Sequence, residues 1–213
     1  MSLLSQSVTF LAIDLGASSG RVIACRWDGE RFTLHELHRF PNSPVEIDGH
    51  LHWDIERLWD EILTGIASYA AENSDPPAGI GVDTWAVDFV LLDSEGNLLS
   101  NPYNYRNYRT DGMPEQVDRT ISPQELYAET GIQRLPINTL YQLASMRGDR
   151  QLLEADTFLM IPDLFHYWLT GRKVAEYTNA TTTQFYSAKE GSWATELLET
   201  LGLPTNMLPE IVS

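Results

Sequence analysis

The sequence predicts an α/β domain, and three observations carry that prediction. Apolar, strand-like runs joined by tight turns occupy the first forty residues; a long amphipathic helical stretch follows; short strands and helices then alternate toward the C-terminus. With 43% hydrophobic and 10% aromatic residues among 213, the chain is too apolar to be disordered and long enough to bury a core.

The elements follow in order. Residues 8–15 are a dense apolar run that carries Asp14 near its end, and residues 16–20 are a turn of small residues. Residues 21–27 form a second, β-branched run. Asp28-Gly29 reads as a two-residue hairpin turn, and residues 32–40 alternate as a third strand should. Three strands joined by tight turns are antiparallel neighbours. Asp54 then opens a helix over residues 54–72, with Ile55, Leu58, Trp59, Ile62, Leu63, Ile66 and Tyr69 at helical spacing. Residues 79–83 and 87–92 read as strands. Ser122-Pro123-Gln124-Glu125 is a capping box with proline at the first helical position, and Gly131 stops that helix. Residues 139–147 predict a helix stopped by Gly148, residues 157–161 a strand, residues 162–170 a helix closed by Gly171, and residues 192–201 a last helix closed by Gly202. No repeat, low-complexity tract or linker interrupts the pattern, which predicts one α/β domain.

Charge narrows the function. Thirty acidic against 14 basic residues give a net charge of −16, and neither a nucleic-acid binder nor a partner for anionic membranes is built that way. A small anionic ligand stays possible, because backbone N–H groups and a single arginine hold phosphate locally. The lone Cys25 allows no intramolecular disulfide and no cysteine-based metal site, and its apolar neighbours predict a buried thiol. The N-terminal residues have neither a basic nor an apolar region of a signal peptide, and no run approaches a membrane span of about 20 apolar residues. The expectation is a cytoplasmic protein, in which the glycosylation sequon at Asn179 carries no weight.

The most informative segment is Asp14-Leu15-Gly16-Ala17-Ser18-Ser19-Gly20-Arg21. A turn of small residues between strands lets N–H groups converge on a phosphate without side-chain obstruction. Ser18 and Ser19 add hydroxyls, Arg21 adds a cation, and Asp14 can hold a Mg²⁺-bound water. A plain hairpin turn with a solvated aspartate explains the same letters. Gly16-x-Ser18-x-Gly20 also spells the nucleophile elbow of serine hydrolases, but that motif requires a helix after the serine, and the residues after Ser18 predict a strand. No Walker A, dinucleotide or zinc-protease motif occurs.

A second constellation, Asp83-Thr84-Trp85-Ala86-Val87-Asp88-Phe89, joins two predicted strands. An indole face with two carboxylates and a hydroxyl suits a polyhydroxylated ligand; a strand bend with a core tryptophan is the structural alternative. The polar-aromatic cluster of residues 103–110, with Asn107 and Arg109, borders a cleft or is a surface loop. His35 with His38, and His50 with His52, lack a third ligand and read as solvated or structural. Residues 176–184 are a polar stretch that lines a site or a loop.

Together with Leu135-Pro136-Ile137-Asn138-Thr139-Leu140-Tyr141-Gln142-Leu143, these segments occur in an order that resembles the N-terminal part of FGGY-type carbohydrate kinases. The resemblance covers essentially the whole chain. It implies the actin/hexokinase type of fold, two RNase H-like domains about a cleft, with this chain as the N-terminal, sugar-binding domain. It also implies ATP-dependent phosphorylation of L-rhamnulose at its 1-hydroxyl with Mg²⁺; L-fuculose is the neighbouring substrate, and a non-catalytic sugar-binding module the alternative class. By motif match, Ala17, Ser18, Ser19, Gly20 and Arg21 would meet the ATP phosphates, with Asp14 near the metal. Thr84, Trp85, Ala86 and Asp88 would line the sugar pocket, and Asn107 and Arg109 would border it.

Three positions depart from the family. Ala17 stands where many of these kinases carry threonine, Ala86 where a glycine is frequent, and Asn107 where an aspartate is usual. The family's general base, an aspartate in a Gly-x-x-Asp loop, would lie beyond Ser213 together with the adenine-binding domain. The resemblance therefore implies a chain that is inactive alone, with no catalytic base within it.

Overall fold

A computed structural model describes residues 7–213; residues 1–6, on which the reading of the N-terminus rests, lie outside the described residues. In chain order the strands are β1 (Val8–Leu15), β2 (Ser19–Trp27), β3 (Phe32–Pro41), β4 (Val45–Ile47) and β5 (His50–His52), followed by helix α1 (Ile55–Glu72). Strands β6 (Ile80–Thr84) and β7 (Phe89–Leu92) come next, then helices α2 (Met113–Val117), α3 (Pro123–Thr130), α4 (Thr139–Ser145) and α5 (Arg150–Glu154). Strand β8 (Thr157–Met160), helix α6 (Ile161–Thr170), strand β9 (Ala175–Glu176) and helix α7 (Tyr177–Ala180) lead to β10 (Tyr186–Ser187), β11 (Ser192–Trp193), α8 (Thr195–Thr200) and β12 (Ile211–Val212). Among the described residues the chain groups into two compact units: residues 7–43 with Asp54–Trp85, and Pro44–Trp53 with Ala86–Ser213.

The first unit is a four-stranded sheet in the order β3-β2-β1-β6. The three N-terminal strands are antiparallel, as predicted, and β6 runs parallel to β1 after the crossover through α1. Parallel neighbours require such a crossover, and the helical spacing of residues 55–69 supplies it. Asp54 caps α1 by accepting the N–H of Arg57 at 3.3 Å. The helix buries Ile55, Leu58, Ile62, Gly65 and Tyr69, while Leu11, Ile13, Leu15 and Val22 form the buried face of the sheet. A Cβ on Gly65 would lie 2.4 Å from Val22 Cγ2, so close helix-to-sheet packing requires glycine there. The opposite face of the sheet is more open; Phe10, Phe32 and Leu34 are exposed, and Cys25 is half-buried rather than fully buried. The predicted two-residue hairpin is a four-residue loop, because Trp27 pairs with Phe32 and Asp28 Oδ1 accepts the N–H groups of Glu30 and Arg31.

The second unit is built around the antiparallel pair β7–β8 and a core of Phe89, Leu140, Tyr141, Phe158, Phe185 and Leu198. The capping box forms as predicted: Ser122 Oγ accepts the N–H of Glu125, and Glu125 returns the contact to the Ser122 N–H. Gly131, at φ 70°, and Gly171, at φ 76°, close their helices in the left-handed conformation. The predicted last helix over residues 192–201 is instead the strand β11 followed by α8. Trp193 pairs with Tyr186, and the Ala194 N–H donates to Phe185 O, which places those residues in a hairpin. Among the described residues no helix is long and apolar enough to cross a membrane.

Candidate functional site

Three carbonyls of the turn between β1 and β2 are taken. Gly16 O accepts from Asn42 Nδ2 at 2.8 Å, Ser18 O from the Asn42 N–H at 3.1 Å, and Ser19 O from the Gly16 N–H at 3.0 Å. Among the described residues the N–H groups of Ala17 and Ser18 find no acceptor, and Ser18 is exposed. A loop with occupied acceptors and open donors suits an anion. Arg21 folds back over this turn, 3.3 Å from an Asp14 carboxylate oxygen and within 3.3 Å of Ser19 Oγ; its Nε is buried without a partner. Gly20 is fixed by packing, since a Cβ there would lie 2.3 Å from the Phe40 ring. Because Ser19 enters β2 directly, the helix that a nucleophile elbow needs is absent.

Beside this turn, β1 and β6 pair in parallel register, with Asp14 opposite Asp83 and Leu15 opposite Thr84. The two carboxylates share one face of the sheet. Such a pair fits Mg²⁺, which is usually held by one or two carboxylates and keeps most of its waters; no group of three or more potential ligands exists among the described residues. Thr84 Oγ1 donates to Trp85 O at 2.7 Å, and Trp85 is half-buried.

In the second unit the sequence-predicted residues Asp88, Asn107 and Arg109 are drawn into one buried polar network. Asp88 accepts Trp53 Nε1 at 2.6 Å, the Tyr105 N–H at 3.2 Å and Gln142 Nε2 at 2.8 Å. Arg109 donates to Gln142 Oε1 at 2.7 Å, Gln142 O at 2.9 Å and Ser145 Oγ at 3.1 Å, and its guanidinium lies 4.1 Å from the centre of the Tyr103 ring. Burial pulls its pKa down to about 10, which leaves it a cation at neutral pH. Asn107 caps the 3₁₀ turn Tyr108–Thr110 through the Arg109 N–H and lies 3.3 Å from His50 Nδ1. Each of the three side chains is thus engaged by protein partners.

The sequence reading missed the groups that complete this network: Trp53, Thr139 and Gln142, all buried. A single glutamine at the centre of the apolar run Leu140–Ala144 was the available signal. Residues 176–184 form α7 and a 3₁₀ turn, with Glu176 accepting the N–H groups of Thr178 and Asn179 and Gln184 bonded to Asn138 at 2.8 Å. Of these histidines, His38 contacts Glu61 at 2.6 Å and His52 stacks near Tyr103, with burial holding its pKa below the usual imidazole range, while His35 is exposed 3.9 Å from Glu72 and His50 stacks on Tyr108.

Residues 9–213 match the model of the FGGY family of carbohydrate kinases, N-terminal domain. The chain is 49% identical over 203 residues to a rhamnulokinase of Oceanobacillus iheyensis, covering 94% of this chain and 43% of the relative. It is 45% identical to a rhamnulokinase of Pectobacterium carotovorum subsp. carotovorum, at 95% and 41% coverage. Among solved structures, a xylulose kinase from Lactobacillus acidophilus superposes with a TM-score of 0.84 at 19% identity, over 96% of this chain and 42% of that one. Plasmodium falciparum glycerol kinase gives 0.78 at 16%, over 96% and 43%. At those identities the structural likeness shows the fold alone. The chain spans about two fifths of the length of these relatives.

Proposed function

Because this chain belongs to the FGGY family of carbohydrate kinases, we propose that it is the sugar-binding portion of a kinase that transfers the ATP γ-phosphoryl group to the 1-hydroxyl of L-rhamnulose. The observation that carries the substrate is the 49% identity to a rhamnulokinase across nearly the whole chain. The observation that supports the phosphate role is the polarity of the β1–β2 turn, with the Gly16, Ser18 and Ser19 carbonyls filled and the Ala17 and Ser18 donors open.

In this reading the N–H groups of Ala17 and Ser18 orient the ATP phosphates, with the Ser18 and Ser19 hydroxyls and Gly20 beside them, and Arg21 exchanges its contact with Asp14 for a phosphate oxygen. Bound Mg²⁺ would neutralise charge that builds on the phosphates during transfer, and Asp14, with Asp83, would hold its water shell. Thr84, Trp85 and Ala86 receive the sugar, the indole covering a C–H face. Asp88, Asn107 and Arg109 border the sugar pocket, and their protein partners hold its backbone. None of the residues named here is assigned as the base that takes the proton of the attacking hydroxyl.

The test is a steady-state assay of the full-length protein with ATP and L-rhamnulose, L-fuculose and D-xylulose. The highest kcat/KM is expected for L-rhamnulose. Preference for another ketose overturns the substrate assignment, and no transfer to any of the three overturns the kinase reading. The 213-residue chain assayed alone is expected to give no turnover above the blank.

A further inference from the structure

Val87 has a left-handed backbone at φ 70°, a conformation that a β-branched side chain adopts worst of all. Its carbonyl accepts two buried donors, Thr139 Oγ1 at 2.9 Å and Gln142 Nε2 at 3.1 Å. Gln142 also reaches Asp88 at 2.8 Å and Ile137 O at 3.0 Å with the same nitrogen. Its other amide atom, Oε1, accepts from Arg109. The amide therefore bridges a buried cation and a buried carboxylate, and their charges fix which way it points. Asp88 is locked in turn by Trp53 and the Tyr105 N–H. Buried polar groups are expensive, and here two of them, Thr139 and Gln142, hold the carbonyl of one strained residue that follows Ala86, with Arg109 and Asp88 fixing Gln142 in turn.

We infer that Gln142, oriented by Arg109 and joined by Thr139, is a positioning residue of the sugar site, holding the Val87 peptide in its left-handed conformation and so fixing the backbone at Ala86. This inference rests on the kinase reading, in which Ala86 meets the sugar. Gln142 touches no substrate in it. Strained backbone persists only where its surroundings over-determine it, and such positions concentrate at ligand-binding sites. Without the clamp, valine relaxes to an ordinary conformation and the Ala86–Val87 peptide turns away.

The experiment uses the full-length protein, L-rhamnulose and ATP, with the two KM values read separately. Gln142→Leu is expected to raise the sugar KM about tenfold and leave the ATP KM within about twofold. Adding Val87→Gly in that background is expected to return the sugar KM to within about fourfold of the parent, because glycine enters the left-handed region without a clamp. Thr139→Val, which removes one hydroxyl at constant shape, serves if Gln142→Leu does not fold; a rise of about threefold, relieved by Val87→Gly, is expected. A sugar KM unmoved in both variants overturns the positioning role, as does a loss that Val87→Gly fails to relieve. A parent protein that phosphorylates no ketose overturns the kinase reading instead.

Discussion

Asp163 shows how much one buried oxygen can cost. On α6, it is only 2% exposed; one carboxylate oxygen accepts the Glu176 N–H at 3.0 Å, and the other is buried without a partner. Burial pushes its pKa up to about 7; the Glu176 N–H pulls the other way and the Glu176 charge adds to the rise. The folded chain therefore keeps a proton that the unfolded chain releases near pH 4. Its contribution to stability is complete below that pH and is lost as pH rises through 7. We expect wild-type stability to fall by on the order of 2 kcal/mol more than that of Asp163→Asn between pH 5 and pH 8, measured by urea denaturation of this chain. Asparagine keeps the acceptor for the Glu176 N–H and does not titrate. Equal pH slopes in the two proteins would show that the carboxyl is ionised in the folded state throughout. Nothing in the sequence marks Asp163, and nothing marks Val87 either, since a valine between Ala86 and Asp88 reads as strand on every propensity scale. Both are set by tertiary neighbours far along the chain, Glu176 and Gln142.

Among the elements, α1 and the sheet it covers are held to a narrow spacing by Gly65 against Val22. An exposed glycine-to-alanine change in a helix stabilises by about 1 kcal/mol, whereas overpacking costs about 1–3 kcal/mol. With Val22 completely buried, the clash wins. Gly65→Ala is expected to lower stability by about 1–2 kcal/mol, and Val22→Ala in the same chain to recover most of it. A Gly65→Ala chain with a higher denaturation midpoint would disprove the packing argument. Elements of this kind were legible beforehand. Strands β1 to β3, α1 and the capping box at Ser122 follow from alternation, helical spacing and local cap chemistry, all of which act within a few residues. The hairpins β4–β5 and β10–β11 did not show, because strands of two or three residues have no period to read. Their pairing depends on partners such as Tyr186 with Trp193.

At the scale of the whole molecule, a net charge of −16 opposes compaction. The ion pairs that oppose it are modest and lie near the surface, Arg134 with Asp118 and Glu115 at 2.7 and 2.8 Å among the best formed. Screening should then help more than it harms. Raising NaCl from about 20 mM to about 500 mM shortens the Debye length from beyond 20 Å to a few ångströms and is expected to raise the melting temperature of this chain. A fall would mean that the ion pairs outweigh the repulsion. The family and the order of the motifs were readable at this scale, whereas no linker or change of composition marks residues 43–54 or 85–86, where the two groups of contacts meet along the chain.

Asn42 ties two parts of the first unit together in a way that bears on motion. It stands one residue past the end of β3, the outer strand of the sheet, and its side chain and backbone N–H hold Gly16 O and Ser18 O, 26 and 24 residues earlier. Edge strands are the first to fray. The β1–β2 turn therefore draws part of its rigidity from the end of β3, where Pro41 pairs with Ser19, and loosening of that end would free the Gly16 and Ser18 carbonyls together.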